Sequence, residues 1–135
     1  MLVLCASLGA QTPHGGAMGF DQTRTTHHFS LKPDGGVIQV EVDDPAETAI
    51  REAIRRHLAT IAREFSEGVF DKPFQTHGEM PPGVPSLQRL KASITYVYEE
   101  VERGGRVRIT TADREALEAV HAFLRYQIRE HKSGT

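Results

Sequence analysis

Residues 25–44 read TTHHFSLKPDGGVIQVEVDD, and the way this stretch folds decides the architecture. Two runs of alternating apolar and polar residues flank Pro33-Asp34-Gly35-Gly36, a sequence suited to a hairpin turn. Closing the turn over those four residues pairs Leu31 with Ile38, Phe29 with Val40 and His27 with Val42. All six then face one side, because side chains alternate along a strand, and His28, Ser30, Gln39 and Glu41 face the other. Immediately downstream, Asp44-Pro45-Ala46-Glu47 supplies a capping acceptor, a proline for the first turn and a Glu three residues later. Ile50, Ile54, Leu58, Ile61 and Phe65 continue at helical spacing as one apolar stripe.

The plan recurs. Ile94, Tyr96 and Tyr98 alternate into Glu102-Arg103-Gly104-Gly105, Val107 and Ile109 return, and Thr110 or Thr111 caps a second helix with the stripe Leu117, Val120, Leu124 and Ile128. Each half presents one apolar sheet face and one apolar helix stripe, and neither half buries both alone. The expected fold is an α+β two-layer sandwich, a four-stranded antiparallel sheet with two helices on one face. Its order is ββα-ββα, read as an internal duplication within one domain at 25–135. A proline-rich loop at 66–92 joins the halves and is expected over one sheet edge or the open face, pinned by Phe70 and Phe74.

Composition narrows the function classes. Among 135 residues, 39% are hydrophobic and 25% charged, which indicates a globular chain. A net charge of −2 gives no electrostatic grip on nucleic acid. No apolar run approaches the ~20 residues of a membrane span. The opening Met1–Ala10, MLVLCASLGA, resembles the apolar region and cleavage site of a secretory signal peptide, so a periplasmic or secreted protein is expected. Residues 11–24 read as a flexible lead-in. Cleavage after Ala10 removes Cys5, the sole cysteine, and with it any disulfide or thiolate ligand.

The seven histidines are the unusual feature. His27, His57 and His121 fall on or beside apolar faces, and His77 and Met80 sit in the central loop with Glu79 between them. Imidazole with thioether suits copper, imidazole with carboxylate suits zinc, and two facing imidazoles suit haem iron. The expected ligand set is His57 or His121, with His27, His77 or Met80 assisting. HExxH, HxxxH and CxxC are absent. His57 lies 13 residues beyond Asp44, about 20 Å along a helix, which puts it at the opposite end of the layer from His27. His57 and His121 share a height but lie on opposite flanks of their stripes, so only one faces the groove between the helices. The alternative is histidines held by backbone carbonyls or carboxylates. No GxSxG elbow or phosphate-cradling glycine loop is present. Tyr96 and Tyr98 read as core, and Glu99 with Arg106 and Arg108 as cross-strand pairs on the outer face.

The stretches Met18-Gly19-Phe20-Asp21-Gln22 with Thr25-Thr26-His27-His28-Phe29, Gly104-Gly105-Arg106-Val107-Arg108-Ile109-Thr110-Thr111, and Val120 through Ile128 resemble a group of small exported bacterial proteins. That resemblance implies export and a bacterial source, and supplies neither an activity nor a catalytic residue. Two functions are therefore expected from different classes: a small exported binding protein for a transition metal or haem, or a non-catalytic partner-binding or homodimerising domain whose histidines are structural. The outer sheet face, where Thr95, Val97 and Thr110 alternate with Glu99 and Arg108, is one expected dimer surface, and the strand edges are the other.

Overall fold

The computed structural model describes residues 19–73 and 78–131. The expectations for Met1–Ala10, the first part of the lead-in, Phe74 and His77 lie outside the described residues. Strands β1 (Thr25–Lys32), β2 (Gly35–Val42), β3 (Ile94–Val101) and β4 (Gly104–Thr111) form one antiparallel sheet in the order β1-β2-β4-β3. Helices α1 (Thr48–Ser66) and α3 (Arg114–His131) cover one face, and a short α2 (Val84–Arg89) packs on α3. The α+β sandwich with ββα-ββα order is therefore the fold.

The hairpin register differs from the expected one by two residues. Phe29 pairs with Ile38, His27 with Val40 and Thr25 with Val42. Pro33 and Asp34 alone make the turn, and Gly35 and Gly36 begin β2. Because a slip of two preserves the facing of every side chain, Phe29, Ile38, Val40 and Val42 still enter the core. Both helices also start later than expected. Asp44 accepts the Ala46 N–H within a separate turn, and α1 begins at Thr48. Asp113, rather than Thr110 or Thr111, caps α3 by accepting the Ala116 N–H at 2.9 Å.

The two halves are related by a pseudo-two-fold axis between β2 and β4. Both strands of the second hairpin lie 69 residues after those of the first, 25 to 94 and 35 to 104. The correspondence extends to single atoms. Val42 donates its N–H to the Arg103 carbonyl at 2.8 Å, and Thr111 donates to the Asp34 carbonyl at 2.9 Å. A Cβ on Gly35 would lie 1.9 Å from the Ile109 carbonyl oxygen, and one on Gly104 would lie 2.1 Å from that of Val40. Neither site has room for a side chain, so each Gly-Gly pair lets the central strands approach.

Each helix crosses to the other half. α1 packs over β3 and β4, and α3 mainly over β1 and β2. In the eighth position of α1, Arg55 donates to the carbonyls of Gly104 (2.9 Å), Val101 (2.8 Å) and Glu102 (3.3 Å) around the β3–β4 turn. In the eighth position of α3, His121 Nε2 meets the carbonyls of Lys32 (2.8 Å) and Gly35 (3.0 Å) around the β1–β2 turn. Ile54, Leu58, Ile61 and Phe65 are buried from α1. From α3 the buried face centres on Ala116, Val120, Phe123 and Leu124, turned slightly from the expected stripe, with Leu117 half-buried.

The linker between the halves packs into the helical layer rather than over a sheet edge or the open face. Phe70 inserts against Phe65 (4.2 Å between ring centroids) and Phe123 (5.9 Å). Val84 and Leu87 of α2 are also buried. Tyr126 donates its hydroxyl proton to Glu79 at 2.7 Å, tying the later part of the linker to α3. On the outer sheet face, Glu99 accepts from Arg106 (2.7 Å) and Arg108 (3.0 Å), the cross-strand pairs the alternation predicts.

Candidate functional site

The groove between α1 and α3 is filled at one end by the Phe65–Phe70–Phe123 cluster. At the other end it remains open as a small cleft. The sheet supplies His27, Phe29, Ile38 and Val40 as its floor. From α1 come His57, Leu58, Ile61 and Phe65, from α3 come Phe123, Gln127 and His131, and Lys72 with Pro73 come from the linker. Under the pseudo-symmetry His57 corresponds to Phe123 and His131 to Phe65. One wall of the cleft is thus imidazole where its mate is phenyl.

His27 lies at the centre of the ring contacts. Its imidazole stacks with His131 (4.9 Å, 15° between planes), Phe29 (6.1 Å, 26°) and Phe20 (6.3 Å, 24°). Phe20 also meets His57 edge-on at 5.6 Å. Burial, then the charges His131, His57 and His28 would carry, push the His27 pKa down to about 3. Burial and the neighbouring Lys72 ammonium lower that of His57 to about 4. Both rings are neutral at pH 7. The Nε2 atom of His27 is sealed from solvent and meets no hydrogen-bond partner among the described residues. Leaving such a group unpaired costs about 1–3 kcal/mol, which a molecule reaching it would recover.

Lys72 is the cationic side chain of the lining, and both carboxylate oxygens of Glu64 hold its ammonium at 3.1 Å. The cleft therefore carries a paired cation at its wall, the neutral imidazoles of His27 and His57, the polar side chains of His131 and Gln127, and an otherwise apolar interior.

The expected ligand residues divide. His27 and His57 come together in the cleft, although helix length put them at opposite ends of the layer. The reason is the entry of α1: residues 43–47 turn outside the sheet, and Arg55 still reaches the β3–β4 turn at the sheet's end. His57, two residues on, is consequently level with the start of β1. His121 lies on the opposite flank of α3, bound to the hairpin carbonyls and away from the cleft. Met80 is 45% exposed and outside the lining. Its neighbour Glu79 is engaged by Tyr126. Among the described residues, no three His, Cys, Asp or Glu side chains converge as a metal-holding group.

Phe20 and His131 were not among the expected site residues. Phe20 stands in a stretch whose composition reads as a flexible lead-in, yet it is 5% exposed and docks on both cleft histidines. His131 follows Ile128 by three residues, a helical spacing that continues the α3 stripe and could have flagged it.

No protein-family model, no curated protein and no solved structure matches the chain. No helix among the described residues is long and apolar enough to cross a membrane.

Proposed function

We propose that this domain binds a small, largely apolar molecule in the cleft between α1 and α3, with the neutral imidazoles of His27 and His57 as its polar contacts. The observation that carries this reading is the sealed, unpartnered Nε2 of His27 at the floor of a mostly apolar cleft. A cleft lined by apolar side chains and a few convergent polar groups is the general form of a small-molecule site. The test is a titration of the full chain with small apolar molecules, followed through its amide and imidazole NMR signals. Saturable shifts at His57, Ile61 and Phe123 support the reading, and their absence across the set refutes it.

A second reading keeps the same imidazoles as ligands of a transition metal, copper or zinc, or of haem iron. Its support is the neutrality of His27 and His57, since a metal needs the unprotonated ring. Against it, no three His, Cys, Asp or Glu side chains among the described residues group as metal ligands. Titration with zinc chloride, copper sulfate and haemin separates the readings. Stoichiometric uptake lost in both His27→Phe and His57→Phe favours the metal, and uptake unchanged in both removes it.

A further inference from the structure

We infer that the cleft selects a neutral, planar aromatic molecule of one ring carrying a hydrogen-bonding group, which pairs with Nε2 of His27. This deepens the proposed function and rests on it, since it names the chemistry of the molecule the cleft would hold.

Charge is the first constraint. A cationic guest would enter a space that already keeps the imidazoles of His27 and His57 unprotonated by excluding water, with the Lys72 ammonium adding to the effect on His57. An anionic guest would need a counter-charge. Lys72 could supply one only by surrendering the Glu64 carboxylate that both of its 3.1 Å contacts engage. A charged guest of either sign therefore loses hydration without recovering it, and a neutral one does not.

Shape is the second constraint. The open end of the groove has a filled counterpart: at the other end the ring of Phe70, inserted from the linker, lies flat against Phe65 and edge-on to Phe123. The open end presents the same ring-lined surroundings with imidazoles substituted, and the ring that docks there, Phe20, stacks on His27 and meets His57 edge-on without lining the cleft itself. Ring faces and edges reward another ring beyond its buried area, through offset-stacked and edge-to-face contacts that an aliphatic guest cannot make. The enclosed part of the cleft is small, which limits the guest to a single ring.

Polarity is the third. Of the buried side-chain atoms left without a partner among the described residues, His27 Nε2 is the one belonging to a cleft-lining residue. Because that nitrogen is sealed, pairing with a guest requires a turn of the imidazole about Cβ–Cγ, a broad torsion. One hydroxyl or N–H on the guest satisfies the nitrogen.

The experiment measures binding of phenol, benzene, cyclohexanol, benzoate and benzylammonium to the full chain at pH 7 by calorimetry, with ¹⁵N signals of the histidine rings recorded alongside. Phenol is expected to bind at least about tenfold more tightly than cyclohexanol or either ion. It is also expected to move the His27 Nε2 signal further than benzene does. His27→Phe keeps a ring but removes the nitrogen, and should weaken phenol relative to benzene by about tenfold or somewhat less. Cyclohexanol, benzoate or benzylammonium matching phenol overturns the aromatic and neutral class, yet leaves the cleft as a binding site. Phenol moving His27 Nε2 no further than benzene overturns the pairing, and this comparison uses the native chain, so it holds even if His27→Phe fails to fold. If no probe moves His27 or His57, benzene included, the proposed function falls and this inference with it.

Discussion

Replacing Arg55 by Met tests the reciprocal crossing of the helices, the feature that brings His57 level with His27. The substitution keeps the side-chain stem and removes the guanidinium that closes the β3–β4 turn. Of its bonds to the turn, two are well formed, to Val101 at 2.8 Å and Gly104 at 2.9 Å, and the one to Glu102 is longer at 3.3 Å, while an exposed fourth bond joins Glu52 on the same helix at 3.1 Å and adds little. Hydrogen bonds to charged groups contribute about 1.5–3 kcal/mol each. Arg55 is 18% exposed, and water can replace it at the turn carbonyls, so roughly half of the gross value for two bonds survives. The expected loss is about 2 kcal/mol, equivalent to about 6–8 °C in Tm for a domain of this size. Urea unfolding followed by circular dichroism at pH 7 measures it, with the exposed neighbour Arg56→Met as the control expected to change little. A loss below about 0.5 kcal/mol, within the range of ordinary surface substitutions, would refute the clamp.

The pseudo-symmetric partner should behave alike: His121→Ala is expected to cost about 1–3 kcal/mol by removing the bond to the β1–β2 turn, and to leave binding in the cleft untouched. Combined with Arg55→Met its effect should be additive within about 0.5 kcal/mol, since the two clamps hold opposite ends of the sheet; double-mutant unfolding measures the sum. Either Gly35→Ala or Gly104→Ala forces a Cβ onto a backbone carbonyl and should cost at least about 3 kcal/mol, read as a fall in the urea midpoint. Acid should destabilise the fold through His27 and His57, whose folded pKa values of about 3 and 4 lie below the 6.5 of the unfolded chain. Their contribution is complete above pH 6.5 and falls as pH drops toward 4, because the unfolded chain takes up protons that the folded one refuses. The slope is up to about 1.4 kcal/mol per pH unit for each ring, so His27→Phe should flatten the curve of urea midpoint against pH.

The sheet and both helices are legible in the sequence because alternation and helical spacing are both strong in each half. What the pattern leaves open is where a turn closes: Leu31 faces inward whether it pairs with Ile38 or with Gly36, so a two-residue slip carries no signature. The helix starts differ for a related reason. Asp44 and Thr111 are good acceptors, but they serve turns that precede the helices, with Asp44 on the Ala46 N–H and Thr111 on that of Asp113. The candidate site was harder to read, since it depends on how α1 enters the layer. Helix length alone separates His27 from His57. The clamp of Arg55 on the opposite hairpin, a contact between residues nearly fifty apart, returns them to one level. His121 shows the converse, a histidine on an apolar flank whose nitrogen is satisfied by two turn carbonyls.

The most direct measurement of the central claim is a crystal of the full chain examined under xenon pressure. Xenon enters apolar cavities that have room for it and needs no hydrogen bond. The account predicts a xenon atom in the cleft, between Ile61 of α1 and Phe123 of α3 and above the ring of His27. A groove closed by its own side chains, with xenon found elsewhere or nowhere, would contradict it.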